Sequence, residues 1–224
     1  MPTLMLMAKA PWSGMAKTRL VPPYSRHQAA EVAEILLRLS VDLCAEHWAG
    51  ELVIAGWPDT DHRIFSELEN QYHVTLAGQS EGDLGQKMQC LLATAFERNT
   101  AVAVMGTDVP HLPGSTLVET YNALSSGGSV VGPTRDGGFC LLGLSNPVPD
   151  LFTGIHWGSS DVYAQMLLNA RARGLTFDSI FAPLTDIDCA SDLHRVASRW
   201  SPLRRALTAA GVGLGAGGGV SHRS

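Results

Sequence analysis

No stretch of this chain stays apolar for the roughly 20 residues that a membrane span requires. The opening run from Leu4 to Ala8 is apolar, but no basic residue precedes it and Lys9 ends it, so it makes a poor secretory signal. Cysteine is scarce. Cys44, Cys90, Cys140 and Cys189 form no C-x-x-C pair, which argues against a zinc site or a disulfide framework and suits small buried hydrophobes in a reducing cytosol. Positive charge is in the minority. With 16 Lys and Arg against 21 Asp and Glu, the formal net charge of -5 argues against nucleic-acid binding through a basic surface. The loop that follows the first apolar segment matches neither the Walker A pattern nor the dinucleotide fingerprint G-x-G-x-x-G. The expectation is a cytoplasmic protein that engages neither membrane nor nucleic acid.

What is present is an alternation of apolar strands and amphipathic helices. The 224 residues, 45% of them hydrophobic, suit one α/β domain over 1–209, followed from 210 to 224 by a Gly-rich tail expected to be disordered. Strands are expected at Thr3–Met7, Glu51–Trp57, His73–Ala77, Ala101–Met105, Ser129–Val131, Phe139–Leu144 and Ser179–Ala182. Helices are expected from the Ser25 cap to about His47, at His62–Gln71, Asp83–Arg98, Pro113–Ser125 and Ser160–Arg173, and as one or two helices over Ser191–Ala209. The continuous apolar run AVAVM reads as a central parallel strand. Phe139 follows Val131 too closely for a crossover helix, so a hairpin or bend joins those strands. The fold class is therefore a three-layer α/β/α, Rossmann-like sheet, mostly parallel but mixed, with ligands at the carboxyl ends of its strands.

The residues with chemistry cluster at those ends. The first strand empties into AKAPWSGMAKTRL, where Lys9, Lys17 and Arg19 bracket Gly14. Cations and free backbone N–H groups there suit nucleotide phosphates, with Gly14 allowing close approach; the plain alternative is a solvated helix cap. Asp108 in GTDVPHL follows AVAVM, where a carboxylate can hold Mg²⁺ against substrate phosphates. Asp186 or Asp188 in TDID could be a second metal carboxylate, and Asp188 could equally cap the next helix. His111 has no second His at ligand spacing and reads as structural. Arg135, Asp136, Gly137 and Gly138 form a hairpin turn that could line an acceptor site. Asp83 and Gly85 open a helix, Asp83 as an N-cap, in a segment that also suits a base or ribose contact. Trp157 could stack on a substrate with Ser159 beside it, or be a buried Trp with a capping Ser.

In this order the segments resemble the GT-A-fold transferases, which hold nucleotidyltransferases and nucleotide-sugar glycosyltransferases. They are most like the bacterial selenodomain-associated transferase 1 family, labelled glycosyltransferase and found beside radical-SAM proteins. The resemblance rests on AKAPWSGMAKTRL, EGDLGQKM, GTDVPHL, GPTRDGGFCLLGL, GIHWGSS and TDIDCASDL, and runs from Leu4 to about Arg199. The first and fourth of these are also similar to phospholactate guanylyltransferases and, more distantly, to molybdenum-cofactor-type NTP transferases. The resemblance implies NTP binding through Lys17 and Arg19, and Mg²⁺ or Mn²⁺ at Asp108 with Asp188 as a possible second ligand. The chain departs from it in three places. Gly106 stands where a glycosyltransferase D-x-D has its first Asp, Lys87 where Arg is common, and TDIDCASDL where T-P-E-D is usual. The expected activity is a metal-dependent transferase with Lys17 and Asp108 as catalytic groups. Nucleotidyl transfer from an NTP to a small-molecule acceptor is slightly favoured. Glycosyl transfer from an NDP-sugar and a catalytically inactive nucleotide-binding module are the alternatives.

Overall fold

A computed structural model describes residues 1–98, 101–179 and 181–214. Strand β1 spans Thr3–Lys9, β2 Glu51–Trp57 and β4 Val102–Gly106. The middle of each is apolar because it is covered on both faces. Leu4 and Leu6 of β1 point into one core with Ile54, Phe65 and Leu117, while Met5 points into the other with Val53, Val104 and Leu142. That is the two-residue alternation of an extended chain. Fully burying a side chain such as Leu6 is worth about 1.5–3 kcal/mol.

The helices begin where their caps stand. Helix α1 covers Arg26–His47; Ser25 Oγ accepts the Gln28 N–H at 3.1 Å, and the Gln28 side chain accepts the Ser25 N–H at 3.0 Å. Helix α2 covers Arg63–Tyr72 behind a His62 cap. Helix α3 covers Leu84–Phe96 behind an Asp83–Gln86 capping box. Helices α4, Gly114–Ser125, and α5, Val162–Ala172, complete the central layers. The C-terminal stretch divides into α6, Ala190–Arg199, and α7, Ser201–Ala209. Pro202 lacks an amide proton, so a new helix starts there instead of the first one continuing.

With β3 at Thr75–Gly78, β5 at Val130–Pro133, β6 at Phe139–Leu144 and β7 at Asp178–Ser179, the seven strands lie in the order β3-β2-β1-β4-β6-β5-β7. Strand β6 runs antiparallel to both its neighbours, and the other pairings are parallel. The mixed three-layer sheet and the late hairpin are as the sequence implies.

Several boundaries differ from the expectation. Strand β3 starts at Thr75 because His73 takes a left-handed backbone (φ 54°) as the cap that ends α2. Among the described residues β7 is Asp178–Ser179; of the expected Ser179–Ala182, Phe181 and Ala182 are not in a strand and Ile180 lies outside the described residues. The register of β5 against β6 shifts at Gly132 and Pro133, and the chain rejoins the sheet only through a bridge between Thr134 and Leu184. The packed chain also runs past Ala209, since Val212 is buried against α1 and α7 and its N–H donates to Leu207 O at 2.9 Å. Most of the expected tail, residues 215–224, lies outside the described residues. No helix among the described residues is long and apolar enough to cross a membrane.

Candidate functional site

The parallel strands β1 and β4 end side by side, Met7 opposite Gly106, so the loops that leave them share one mouth. A third segment reaches it from β7. The Ile187 N–H donates to Asp108 O at 3.0 Å, which fastens 186–188 to the β4 loop. The fourth wall is the β5–β6 hairpin tip with the segment before α5, held together where Tyr163 N–H donates to Gly137 O at 2.8 Å. Together they enclose a cavity of about 680 Å³.

At its centre stands Lys17. Its Nζ lies 2.7 Å from Asp108 Oδ1 and 3.1 Å from Asp188 Oδ1, and donates to Ile187 O at 2.6 Å. The side chain is 10% exposed. Burial alone would lower its pKa, but the Asp108 and Asp188 carboxylates outweigh burial and hold the ammonium above the usual lysine range. Arg19 reaches Asp188 Oδ2 at 3.4 Å from a position 75% exposed, so it is free to follow a ligand.

The other expected residues divide. Lys9, Asp136, Gly138, Trp157 and Ser159 line the cavity with Lys17, Arg19, Asp108 and Asp188. Gly14, Asp83, Gly85, Arg135 and Gly137 do not. Gly14 shapes the loop with φ +83°, and Asp83 caps α3. Gly85 sits behind Trp157, where an added Cβ would stand 2.8 Å from the indole. Arg135 is exposed and ties its backbone N–H to Leu184 O at 2.8 Å. His111 is apart from the cavity, tilted against Trp200 with ring centroids 6.0 Å apart.

Asp186 also lines the cavity, and the sequence offers it only as an alternative to Asp188. Its Oδ1 is buried with no hydrogen-bond partner among the described residues, and burial, together with the Asp136, Asp108 and Asp188 carboxylates, raises its pKa to about 8. An acid whose folded pKa lies above its unfolded value contributes stability that is full below the unfolded pKa, about 3.8, and lost as pH rises through about 8. Melting temperatures taken in chelator from about pH 5 to about pH 9 should therefore fall more steeply for wild type than for Asp186→Asn. Parallel curves would show that Asp186 is ionised throughout.

A smaller recess of about 300 Å³ adjoins the cavity and shares Met7, Lys9 and Leu84 with it. Trp57, Gln79 and Lys87 form its walls. Lys87 Nζ lies 3.3 Å above the Trp57 ring, and Gln79 Nε2 donates to Ala55 O at 2.7 Å. Nothing local in the sequence pairs Trp57 with Lys87, because only the β2–β3 register brings Trp57 beside the start of α3.

The donor set fits a hard divalent cation. Asp108 and Asp188 converge on one cation position, now taken by the Lys17 ammonium, and Asp186 adds an unpartnered carboxylate oxygen nearby. Among the described residues no three His, Cys, Asp or Glu side chains form a preformed cage. This is the arrangement Mg²⁺ uses when substrate phosphates and water complete its shell.

The same architecture occurs in solved structures. A candidate nucleotide-diphospho-sugar transferase from Desulfovibrio desulfuricans G20 is 26% identical, with 93% of this chain and 95% of that chain covered and a TM-score of 0.80. A nucleotidyl transferase from Methanothermobacter thermautotroptrophicus (Mth528) is 16% identical over 92% of this chain and 99% of that one, with a TM-score of 0.58. Rv0371c from Mycobacterium tuberculosis H37Rv, in complex with manganese, is 15% identical over 92% and 97%, with a TM-score of 0.50. No curated protein matches the sequence. These likenesses give the chain the nucleotide-sugar transferase fold. The family model described as "Uncharacterized protein conserved in bacteria (DUF2064)" matches residues 40–159, more than half of the chain, and the chain belongs to that family.

Proposed function

We propose that this protein is a metal-dependent nucleotidyltransferase that moves a nucleotide from an NTP to a small-molecule acceptor. The observation that carries the reading is the buried Lys17 ammonium gathered with Asp108 and Asp188 at the carboxyl ends of the strands. The nucleoside would occupy the recess walled by Trp57, Gln79 and Lys87, and the phosphates would run past Lys9 toward Lys17 and Arg19. Asp108 and Asp188 would hold Mg²⁺ or Mn²⁺, which supplies charge neutralisation at the phosphates when bound. The acceptor would enter between the hairpin tip and Trp157.

In the reaction an acceptor oxygen forms a bond to the α-phosphorus as the α–β phosphoanhydride bond breaks and pyrophosphate leaves. Lys17 and Arg19 offset charge that grows on the leaving phosphates, and Trp157 and Ser159 shape the acceptor's approach. Such catalysis is positioning plus electrostatics, which this rigid meeting of four segments provides. The four free cysteines are consistent with a cytoplasmic location. The fold relations support residues 1–209, with the few packed residues beyond, as one transferase domain.

Glycosyl transfer from an NDP-sugar is the second reading, favoured by the Desulfovibrio relative. Gly106 weighs against it, because a first D-x-D carboxylate is missing and the space beside that Cα is open. A thermal-shift screen of NTPs and NDP-sugars, each with Mg²⁺ and with chelator, separates the two. Metal-dependent stabilisation by one NTP, of several degrees at saturating ligand, is expected. Stabilisation by an NDP-sugar alone would replace this reading with glycosyl transfer, and a flat screen would leave a nucleotide module without turnover.

A further inference from the structure

We infer that in the free protein Lys17 itself occupies the cation position, so that a divalent metal enters only together with the phosphates that draw Lys17 away. The inference rests on the reading that Asp108 and Asp188 hold the metal, and concerns how that site is kept closed. An ammonium has three N–H donors, and Lys17 Nζ has three oxygens around it: Asp108 Oδ1, Asp188 Oδ1 and Ile187 O. It donates to Asp188 and Ile187 and is ion-paired with Asp108, so it sits between the two carboxylates that a metal would need. A dication at the same oxygens would face the like charge of the Lys17 ammonium, itself 10% exposed, a few ångströms away. Metal and Lys17 therefore compete for one pair of carboxylates.

The exchange has an outlet. Lys17 and Arg19 project into the cavity from the segment that follows β1, whose last residue Lys9 lines it too, so phosphates arriving there offer the Lys17 ammonium new acceptors. Asp188 keeps its second contact, to Arg19, while Lys17 leaves. Moving the ammonium from two carboxylates to a phosphate leaves the carboxylates uncompensated, which is the condition under which they bind a dication. Metal and nucleotide should then bind with positive coupling, each raising the other's affinity by the same factor. Metal alone would bind poorly, and the pyrophosphate product, while bound, would keep Lys17 from returning.

The test is direct binding of Mn²⁺ to the full chain without nucleotide, with free Mn²⁺ followed by its paramagnetic resonance signal. Lys17→Met and Lys17→Gln should each bind Mn²⁺ at least about tenfold more tightly than wild type, the size of a typical coupling between sites. Lys17→Arg, which keeps a cation there, should stay near wild type. Two neutral variants guard against one failing to fold, with near-ultraviolet circular dichroism as the check. Adding Asp108→Asn to either neutral variant should remove the gained affinity. Equal Mn²⁺ affinity in wild type and both neutral variants, lost on Asp108→Asn, would overturn the gate while leaving the metal site standing. No Mn²⁺ binding by any variant, or binding indifferent to Asp108→Asn, would overturn the gate together with the assignment of those carboxylates.

Discussion

Asp108→Asn should abolish metal-dependent turnover, by about a thousandfold or more, while the melting temperature stays within a few degrees of wild type. The two outcomes separate because the carboxylate and the backbone of Asp108 do different jobs. The side chain, 41% exposed, gives its charge to the cation position. The backbone carbonyl accepts the Ile187 N–H and so holds the 186–188 segment, and buried Val109 and Leu112 anchor the loop behind it. Asparagine keeps the shape, the carbonyl and an acceptor for Lys17. It removes only the negative charge that the proposed divalent cation would need. Initial rates with Mg²⁺ and the stabilising nucleotide, beside a thermal melt, check both halves. Unchanged activity would remove Asp108 from the metal site, and a collapsed melt would make it structural.

Asp108 stands out in the sequence because of where it falls along the chain. A parallel central strand must be apolar throughout, so Val102–Gly106 announces itself and the residue just beyond it is placed at a carboxyl end. Ser25 and Asp83 announce α1 and α3 because a capping box is local chemistry, completed within four residues. The same locality explains what stays hidden. Lys17 and Asp188 are 171 residues apart, and nothing local in TDID tells whether Asp186 or Asp188 meets the lysine. The fold decides it, for Ile187 pairs with Asp108 and its two flanking carboxylates fall into different surroundings. Asp188 goes to Lys17 and Arg19, while Asp186 keeps one buried oxygen without a partner among the described residues. Strand β7 departs from its expected position for a related reason. An edge strand of two residues has too little pattern to locate, and its position is set by its partner β5. Gly85 likewise gives no local sign that it stands against Trp157.

The glycines of the hairpin tip allow a second large effect to be isolated. Gly137→Ala should lower stability by about 2–4 kcal/mol, a fall in melting temperature of roughly 5–15 °C. Gly137 has φ +89°, where a side chain is strained, and an added Cβ would come 1.8 Å from Ser160 O. The obstacle is backbone, so neither partner can yield by turning a rotamer. The Tyr163 N–H to Gly137 O bond at 2.8 Å, which presses the tip against the start of α5, would have to break or move. Gly158→Ala is the matched control. Its φ is +86°, nearly the same, but nothing stands within 4 Å of the added Cβ, so it should cost only the backbone strain, about 1 kcal/mol. The difference between the two variants measures the close approach by itself. It also bears on the proposed function, because the hairpin tip and the segment before α5 that it joins bring Asp136 and Ser159 to the same cavity. If the tip is held there to shape that entrance, Gly137→Ala should raise KM for the acceptor more than for the nucleotide. Equal losses in both, or melting temperatures that match those of Gly158→Ala, would show that the hairpin carries no such constraint.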